Sequence, residues 1–500
     1  MRGKKSAFYG YSGQLAAALA AAAVLSACTV GPDYVRPAVD MPKGYKEVPP
    51  ASGPWKVATP LDQASRGQWW AVFDEPVLNG LEQQVAGSNQ SLAAAEAQYR
   101  QARALAQAAS SAYFPVVTAG ASVSRFRRSA NAYGAIPSIA GPANDFALPL
   151  DVSWEADIWG RVRRSVESAQ ASAQAVAADV EAVRLSIQAE LAIDYFLLRG
   201  IDSERDLLTR TIVAYAKGHE LTVNRFEGGI ASDADVAQAE TQLRTAQAQA
   251  VDLRVQRVQL EHAIALLIGK APAEFSLPMV DSNPLPPGVP PGVPSELLER
   301  RPDIAFAERQ MAAANAQIGV AKAAFYPTLS LGAVGGFESS KASNWLSWPS
   351  RFWSLGPNAV ITLFDANRRK AISDQAQAAY DGSVATYRQT VLTAFQDVED
   401  NLAALGILAE ESQVQDGAVK AAQRSLNLAT NRYTAGAASY LDVVIAQTFA
   451  LSNQRTALDI SRRRMTASVR LIKALGGDWH VADLPTADAI ASGSSAAAKK

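Results

Sequence analysis

Cysteine and histidine are scarce in this chain, and their scarcity excludes several kinds of site. The 500 residues contain one cysteine, Cys28, so no disulfide can form within the chain. The three histidines lie far apart, without the spacing of metal ligands and without a cysteine partner for nucleophilic catalysis. No glycine-rich phosphate loop precedes a predicted helix. The sequence therefore predicts no catalytic residue, no metal site and no cofactor, and we do not expect an enzyme.

Long apolar runs are equally scarce. Residues 15–25 form one after a basic leader, but it is shorter than the roughly 18 residues that a spanning helix needs. Such a run is typical of a cleaved signal peptide. It ends in Leu-Ser-Ala-Cys, which resembles a bacterial lipobox, so residues 1–27 are predicted to be a lipoprotein signal peptide. Cys28 would then carry diacylglycerol and an N-acyl chain. The alternative is an ordinary exported protein with an incidental cysteine.

An excess of basic charge is also missing. The chain has 47 basic and 48 acidic residues, and removal of residues 1–27 takes away Arg2, Lys4 and Lys5. The mature chain would keep 44 basic against 48 acidic residues, a net charge of −4. This balance gives no indication of nucleic-acid binding.

The second half of the sequence repeats the first at a spacing of about 207–212 residues. Tyr113-Phe-Pro recurs as Phe325-Tyr-Pro, and the stretch 224–236 recurs as 431–443. Each half is predicted to run strand, loop, strand, very long helix, tight turn, long helix. We therefore expect a signal peptide, an extended N-terminal segment, a first repeat, a proline-rich linker, a second repeat and a disordered tail, at residues 1–27, 28–60, 61–283, 284–301, 302–479 and 480–500.

Helices are predicted wherever apolar residues alternate at spacings of three and four, which is the coiled-coil pattern. The expected helices are at about 88–112, 160–227 and 232–269 in the first repeat and at about 303–325, 366–432 and 439–476 in the second. A helix of about 60 residues spans roughly 90 Å. Taken alone, this pattern is also compatible with a coiled coil that serves as a spacer.

Strands are predicted wherever apolar and polar residues alternate, at about 115–126, 146–157, 327–337 and 353–364. A half-buried sheet in a soluble domain is one interpretation, but the runs have the length of outer-membrane strands. Backbone groups in lipid must be paired, and the smallest membrane barrels need about eight strands. Four strands per chain would therefore require several copies, and only three copies, with twelve strands, would leave a passage.

Three blocks of sequence resemble a known family. They are Cys28-Thr-Val-Gly-Pro-Asp-Tyr-Val-Arg-Pro37, Trp69-Trp-Ala-Val-Phe-Asp74 and Pro294-Ser-Glu-Leu-Leu-Glu-Arg-Arg-Pro-Asp-Ile304. With the features above, they make residues 15–480 similar to the TolC-like outer membrane factors, in particular the NodT-type efflux lipoproteins. The resemblance implies a mixed α/β membrane protein, a homotrimer with a twelve-stranded outer-membrane β-barrel continuous with a periplasmic α-helical barrel.

The resemblance also implies a function and partners. Such proteins are exit ducts in the outer membrane of Gram-negative bacteria, through which drugs or other small toxic compounds leave. A periplasmic adaptor joins the duct to an inner-membrane pump, usually of the resistance-nodulation-division (RND) type. Metal-ion efflux and type I protein secretion use the same fold and stay as alternatives. A lipid-tethered structural coiled coil in the periplasm is a third.

The tight turn of each repeat carries the motif Gly-x-x-Ser-x-x-Asp, as Gly229, Ser232 and Asp235 and as Gly436, Ser439 and Asp442. Glycine accepts the left-handed conformation that ends a helix, and serine with the acid three residues later forms a capping box. These residues are therefore predicted to cap the helices on both sides of each turn.

By resemblance, the turns are the periplasmic tips where the duct closes. Asp442 matches the constriction acid of the family, Asp235 is its equivalent in the first turn, and Tyr433 matches a position that tethers neighbouring helices in the closed state. Three copies of such a carboxylate would repel one another and attract cations, so closure would depend on salt and pH.

Overall fold

The computed structural model describes residues 29–47, 68–129, 131, 141–280, 284–289 and 294–492. The predicted signal peptide and the lipid attachment at Cys28 lie outside the described residues. The helices are α1 (Pro76–Ser88), α2 (Gln90–Ser110), α3 (Arg161–Glu227), α4 (Asp233–Leu267), α5 (Leu297–Arg300), α6 (Pro302–Ala323), α7 (Arg368–Thr434), α8 (Tyr440–Ala474) and α9 (Ala487–Ala491). The strands are β1 (Val116–Ala119), β2 (Ser122–Phe126), β3 (Ala143–Ala156), β4 (Thr328–Ser339) and β5 (Arg351–Val360).

Two pairs of long helices dominate the molecule. Helices α3 and α7 have 67 residues each, and α4 and α8 have 35 each. At 1.5 Å per residue they are about 100 Å and about 50 Å long. Their bounds differ by at most two residues from those expected from the sequence. Among the described residues, no helix is both long enough and apolar enough to cross a membrane.

All five strands form one antiparallel sheet, in which β1 and β2 pair with β3, β3 with β4, and β4 with β5. The register brings the alternating apolar residues of neighbouring strands onto one face. Leu150 lies opposite Gly335, which lies opposite Trp353, and Val152 lies opposite Ala333. One face of the sheet therefore carries a continuous apolar surface.

The prediction of one strand at 115–126 is wrong in one respect, because the strand is interrupted after Ala119. Val117 opposes Val152 and Val123 opposes Phe146, so the register is the same on both sides of the gap. Gly120 donates its N–H to the carbonyl of Pro149 at 3.0 Å. Proline has no N–H to return, so the ladder is broken at this point.

The last predicted strand, at 353–364, ends earlier than expected. Strand β5 stops at Val360, whose partner is Thr328, the first residue of β4. Residues 361–364 extend beyond the end of the partner strand and have no ladder to join. They connect the sheet to α7 as an exposed segment.

Helix α1 is missing from the sequence-based expectations, which began the first helix at about 88. Asn89 separates α1 from α2, and its side chain accepts a hydrogen bond from the N–H of Leu92 at 2.9 Å. This is an N-cap, and it restarts the helix. Leu78, Leu81 and Val85 give α1 an apolar stripe that packs into the main core. Their spacing of three and four residues is the sequence pattern that could have predicted this helix.

The N-terminal segment is an extended strap as far as residue 47, and residues 48–60 of the expected segment lie outside the described part. Its contacts are with the core helices. The Tyr34 hydroxyl donates to Glu308 at 2.6 Å, and Glu399 accepts from the N–H groups of Lys46 and Glu47 at 2.8 and 2.9 Å.

The proline-rich linker predicted at 284–301 is shorter than expected. Residues 284–289 contain no helix, but residues 294–300 form helical turns. Leu297 is buried in a cluster with Ile304 and Leu475. Pro294 and Arg301 are also buried, so the end of the linker is packed against the helices.

The prediction of a disordered tail at 480–500 is wrong for its described part, residues 480–492. Residues 481–483 form a helical turn and 487–491 form α9. Ile490 is fully buried between Ala106 of α2 and Ala173 of α3. Although the composition of the tail is of low complexity, this one apolar side chain anchors it in a groove lined by alanines.

The helices form a layer in which α3 packs against different helices along its length. Near the sheet, α3 packs between α2 and α6, and α6 packs on α7. Farther from the sheet, α3 packs on α4 and α8, and α8 packs on α7. The turns at 228–232 and 435–439 therefore lie at the end of the molecule opposite the sheet.

Candidate functional site

The two helical turns at the far end from the sheet have the same geometry. Gly229 and Gly436 have φ of 72° and 77°, the left-handed region that glycine accepts without strain. In the first turn, the Ser232 N–H donates to Asp235 Oδ2 at 3.0 Å, and the Asp235 N–H donates to Ser232 Oγ at 3.2 Å. This reciprocal pair is a capping box, and it starts α4.

The second turn starts α8 in the same way. The N–H and the hydroxyl of Ser439 both donate to Asp442 Oδ2, at 3.1 and 3.0 Å. The difference between the turns is accessibility: Asp442 is exposed, whereas Asp235 is half-buried. The second turn therefore presents its carboxylate to solvent or to a neighbouring copy more openly than the first.

Tyr433 is the penultimate residue of α7 and is buried. Its ring meets the ring of Tyr440 edge to face, with centroids 5.2 Å apart, and it packs with Ala239 of α4 and Val443 of α8. The Tyr433 side chain thus joins three helices near the two turns.

Arg225, near the end of α3, is a residue of this site that sequence reasoning missed. Its Nη1 donates to the carbonyl oxygens of Tyr433 and Thr434 at 3.0 and 3.3 Å. The guanidinium also lies 4.6 Å from the centre of the Tyr433 ring. An arginine of the first turn therefore caps the last carbonyls of the helix that enters the second turn.

The motif Asn-Arg-aromatic was the available signal, because it occurs at both turns. The equivalent residue of the second turn is Arg432, which is exposed and reaches only the carbonyl of Ala437 within its own turn, at 3.5 Å. Both arginines look alike in the sequence. Which of them bridges the two turns depends on tertiary packing.

Tyr215 of α3 extends this cluster, which already contains Tyr440 of α8. Burial raises the pKa of Tyr440, and burial also raises the pKa of Tyr215 to about 12. Tyr440 packs over Gly218 of α3, where a Cβ would lie 3.3 Å from the tyrosine hydroxyl oxygen. Both phenols therefore stay neutral at physiological pH and act through packing and hydrogen bonding.

A buried ion-pair network joins the two helical hairpins above the turns. Glu204 of α3 accepts from Arg455 at 2.7 Å and from Arg462 at 3.1 Å, both on α8. The stem of Arg462 lies against Gly200, where no larger residue would fit. Glu204 is 3% exposed, so loss of its partners would leave a buried charge without compensation.

Between this ion-pair network and the tyrosines lies a cavity of about 610 Å³. Six of its thirteen lining residues carry neutral amide or aliphatic hydroxyl groups, and four are charged: Gln242, Thr245, Gln249, Thr448, Ser452 and Thr456 are the neutral six, and Glu204, Arg455, Asp459 and Arg462 are the charged four. Within the described residues, no group of three or more histidines, cysteines and acids is placed to hold a metal ion. The cavity wall thus combines neutral hydrogen-bonding groups with charged side chains, including those of the Glu204 ion-pair network.

Comparison with known proteins assigns the chain to a family. The family model described as outer membrane efflux protein matches residues 81–270 and 293–477. The toluene efflux pump outer membrane protein TtgF of Pseudomonas putida is 32% identical over 465 residues, covering 92% of this chain and 96% of that protein. The antibiotic efflux pump outer membrane protein ArpC of Pseudomonas putida is 33% identical over 465 residues, covering 91% and 94%.

The fold is similar to that of a solved channel. The structure of the outer-membrane channel OprN superimposes with a TM-score of 0.83 at 31% identity and covers 90% of this chain and 99% of that one. The match thus includes both the sheet and the long helices. Since the family model spans more than half of its residues, the chain belongs to the outer membrane efflux protein family.

Proposed function

We propose that this protein is the outer-membrane exit duct of a tripartite efflux system and passively exports drugs or other small toxic compounds. The observation that carries the proposal is the sheet. Each outer strand lacks a partner along its outer edge within the described part of the chain, and the apolar face of the sheet is open. Trp353 is 81% exposed and Leu355 is 72% exposed. Such a sheet is stable in lipid only when other copies close it.

A homotrimer satisfies the sheet and the helices together. Four strand positions per chain, counting β1 and β2 as one, give a twelve-stranded barrel. Helix α4 packs mainly on α3, and α7 packs mainly on α8 and α6, so α4 and α7 are the helices left for a second copy. Both carry exposed apolar side chains: Val251, Val255, Val258, Leu392, Ile407, Val414 and Leu428. The doubled helical unit in each chain would give the ring its pseudo-sixfold regularity.

A lipid anchor at Cys28 fits this arrangement. The Val30 N–H donates to the carbonyl of Trp159 at 3.1 Å, just beyond the end of β3. Thr29 packs against Gly160, where a Cβ would lie 2.7 Å from its methyl group. Thr29 and Val30 therefore lie at the rim of the sheet, and acyl chains on the preceding residue, Cys28, would enter the same bilayer.

The gate of the duct would lie at the two turns. Asp442 is the residue we assign to the constriction, with Asp235 behind it and Tyr433 as the tether between helices. Selection of the cargo falls to the partners, an adaptor in the periplasm and an inner-membrane pump that we expect to be of the RND type. The names of TtgF and ArpC, toluene and antibiotic pumps, support small toxic compounds as the cargo.

Reconstitution tests the proposal. The mature, acylated protein should run as a heat-modifiable trimer and should produce discrete conductance steps in planar bilayers. A monomer that stays soluble without detergent after removal of its acyl chains, and that gives no conductance, would contradict the duct. It would favour a tethered coiled coil instead.

A further inference from the structure

Helix α7 begins with three consecutive cations, Arg368, Arg369 and Lys370, and its first turn contains no acid. Cations at a helix N-terminus are opposed by the helix dipole, and acids are the favoured residues there. Helix α3 begins similarly, with Arg161, Arg163 and Arg164. The two clusters lie at the junction between the sheet and the helices, and they differ in how they are neutralised.

Every cation at the start of α3 has an acidic partner. Arg161 pairs with Glu155 through two bonds of 2.8 and 2.6 Å, Arg163 with Asp157 at 3.4 Å, and Arg164 with Asp33 at 2.6 Å. The first cluster is therefore a closed set of ion pairs. It has no positive charge left for a ligand.

At the start of α7 only the central cation is neutralised. Arg369 lies 2.6 Å from Asp365, and its hydrogen bond holds the pKa of that carboxyl below the usual range. Arg368 and Lys370 are exposed, and no acid in the described part of the chain lies within ion-pair distance of them. Lys322, in the last turn of α6, is exposed in the same way.

Contacts of Arg369 bring these three free cations to the same place. Its guanidinium lies 5.5 Å from the ring of Phe325, three residues after Lys322. The end of α6 and the start of α7 are therefore neighbours. Lys322, Arg368 and Lys370, which carry three positive charges, therefore lie at this junction, and together they are called here the rim patch.

The rim patch adjoins exposed apolar side chains. Leu363 and Phe364, just before α7, are 88% and 87% exposed. Tyr326, the residue after Phe325, stacks on Trp159 with ring centres 4.7 Å apart. Aromatic rings with long cationic side chains beside them are typical of a membrane–water interface, where the stem lies along the apolar region and the charge reaches the headgroups.

We propose that the rim patch binds the phosphate groups of anionic phospholipids in the leaflet that faces the helices. This inference rests on the proposed function, because it requires the sheet to lie in the membrane. The apolar neighbours favour a lipid over free phosphate, since they would contact its acyl chains. A zwitterionic lipid would satisfy the surface less well, because its net charge is zero.

The test uses the full, acylated protein in nanodiscs that contain phosphatidylglycerol and phosphatidylcholine in equal amounts. The lipid that remains bound after detergent extraction is counted by mass spectrometry. The double variant Arg368→Gln/Lys370→Gln is compared with the matched control Lys420→Gln/Arg424→Gln, on the same helix but about 75 Å farther from the sheet. Wild type and control should retain an excess of phosphatidylglycerol over phosphatidylcholine. In the rim variant this excess should fall about fivefold for each cation removed.

Several results would overturn the proposal. One is equal retention of both lipids by a wild-type channel that conducts. Another is an excess of phosphatidylglycerol in the rim variant that equals that of the wild type. Competition by inorganic phosphate at matched ionic strength would show a site for the free anion instead of the lipid. Failure of the wild type to enter the bilayer at all is a separate outcome, which would remove the duct and the rim patch together.

Discussion

Arg225 and Arg432 occupy equivalent positions before the two turns, and only Arg225 bridges them. Substitution of Arg225 by alanine removes two hydrogen bonds to the end of α7 and a cation–π contact with Tyr433. We expect the free energy of local opening at the second turn to fall by about 2 kcal/mol. Hydrogen exchange of the amides at 435–437 should become faster by about thirtyfold. Arg432→Ala is the matched control and should change exchange little.

Asp442 is the exposed carboxylate of the second turn, and its removal tests the gate. Asp442→Ala should raise single-channel conductance in planar bilayers, because three carboxylates would no longer hold cations at the constriction. Asp235→Ala removes the same kind of capping box from the first turn, so both variants should lose about 1 kcal/mol of local stability. If conductance is unchanged in Asp442→Ala, this residue does not line the constriction.

Glu82 of α1 is fully buried and makes no hydrogen bond with any residue that the structure describes, and burial raises its pKa well above the usual value. The folded state therefore holds a proton that the unfolded chain releases above about pH 4. Stability should fall as pH rises through the range between the unfolded and folded pKa values, by up to about 1.4 kcal/mol per pH unit.

Glu82→Gln removes that titration. Its advantage over the wild type in thermal unfolding should be small at pH 4 and should grow towards pH 8. A difference that stays constant with pH would show that Glu82 is not the titrating group.

At the scale of elements, the sequence was sufficient wherever a pattern is local. The long helices carry a three/four spacing over many turns, so their bounds follow from the sequence to within two residues. The strand interruption opposite Pro149 depends on which residue lies across the ladder, and the early end of β5 depends on where β4 begins. Such features are set by partners that are distant in sequence.

The prediction of a disordered C-terminal segment is wrong for the same reason. Ile490 lies in a low-complexity stretch, and its partners, Ala106 and Ala173, are several hundred residues earlier. Gln174 adds a hydrogen bond of 3.0 Å to the carbonyl of Pro485. Nothing within the segment itself indicates that this groove exists.

This docking predicts the effect of changing Ile490. Ile490→Asp should detach residues 486–492, because burial of an unpaired carboxylate costs more than the short helix α9 can offset. Hydrogen exchange should then rise in this segment and along the Ala106 and Ala173 surfaces. Ile490→Val, which loses one methyl group at a cost of about 1 kcal/mol, should keep the segment docked. Equal exchange in all three proteins would contradict the docking.

At the scale of the whole molecule, each turn is held by a capping box and Arg225 joins the two, but the layer of helices itself has two open sides. The candidate gate could be located from a motif, whereas the bridge by Arg225 and the rim patch depend on which helices meet. A contact between several copies of the chain is harder still to predict from the sequence. It can be inferred only from surfaces that one copy leaves uncovered.

The exposed stripe on α7 is such a surface, and Val414, 72% exposed, lies near its centre. In the proposed trimer this side chain faces α4 of the next copy. Val414→Glu would place three carboxylates without partners in the seams between copies, so the fraction of trimer should fall. Heat-modifiable bands and light scattering in detergent measure that fraction.

Gln413→Glu is the matched control, because it adds the same charge to the adjacent residue, which is also exposed but lies about 100° around the helix from Val414. It should assemble like the wild type. If Val414→Glu also remains fully trimeric, the stripe is not the contact between copies. The sheet would then have to be closed by another arrangement of the helices, with α7 facing solvent.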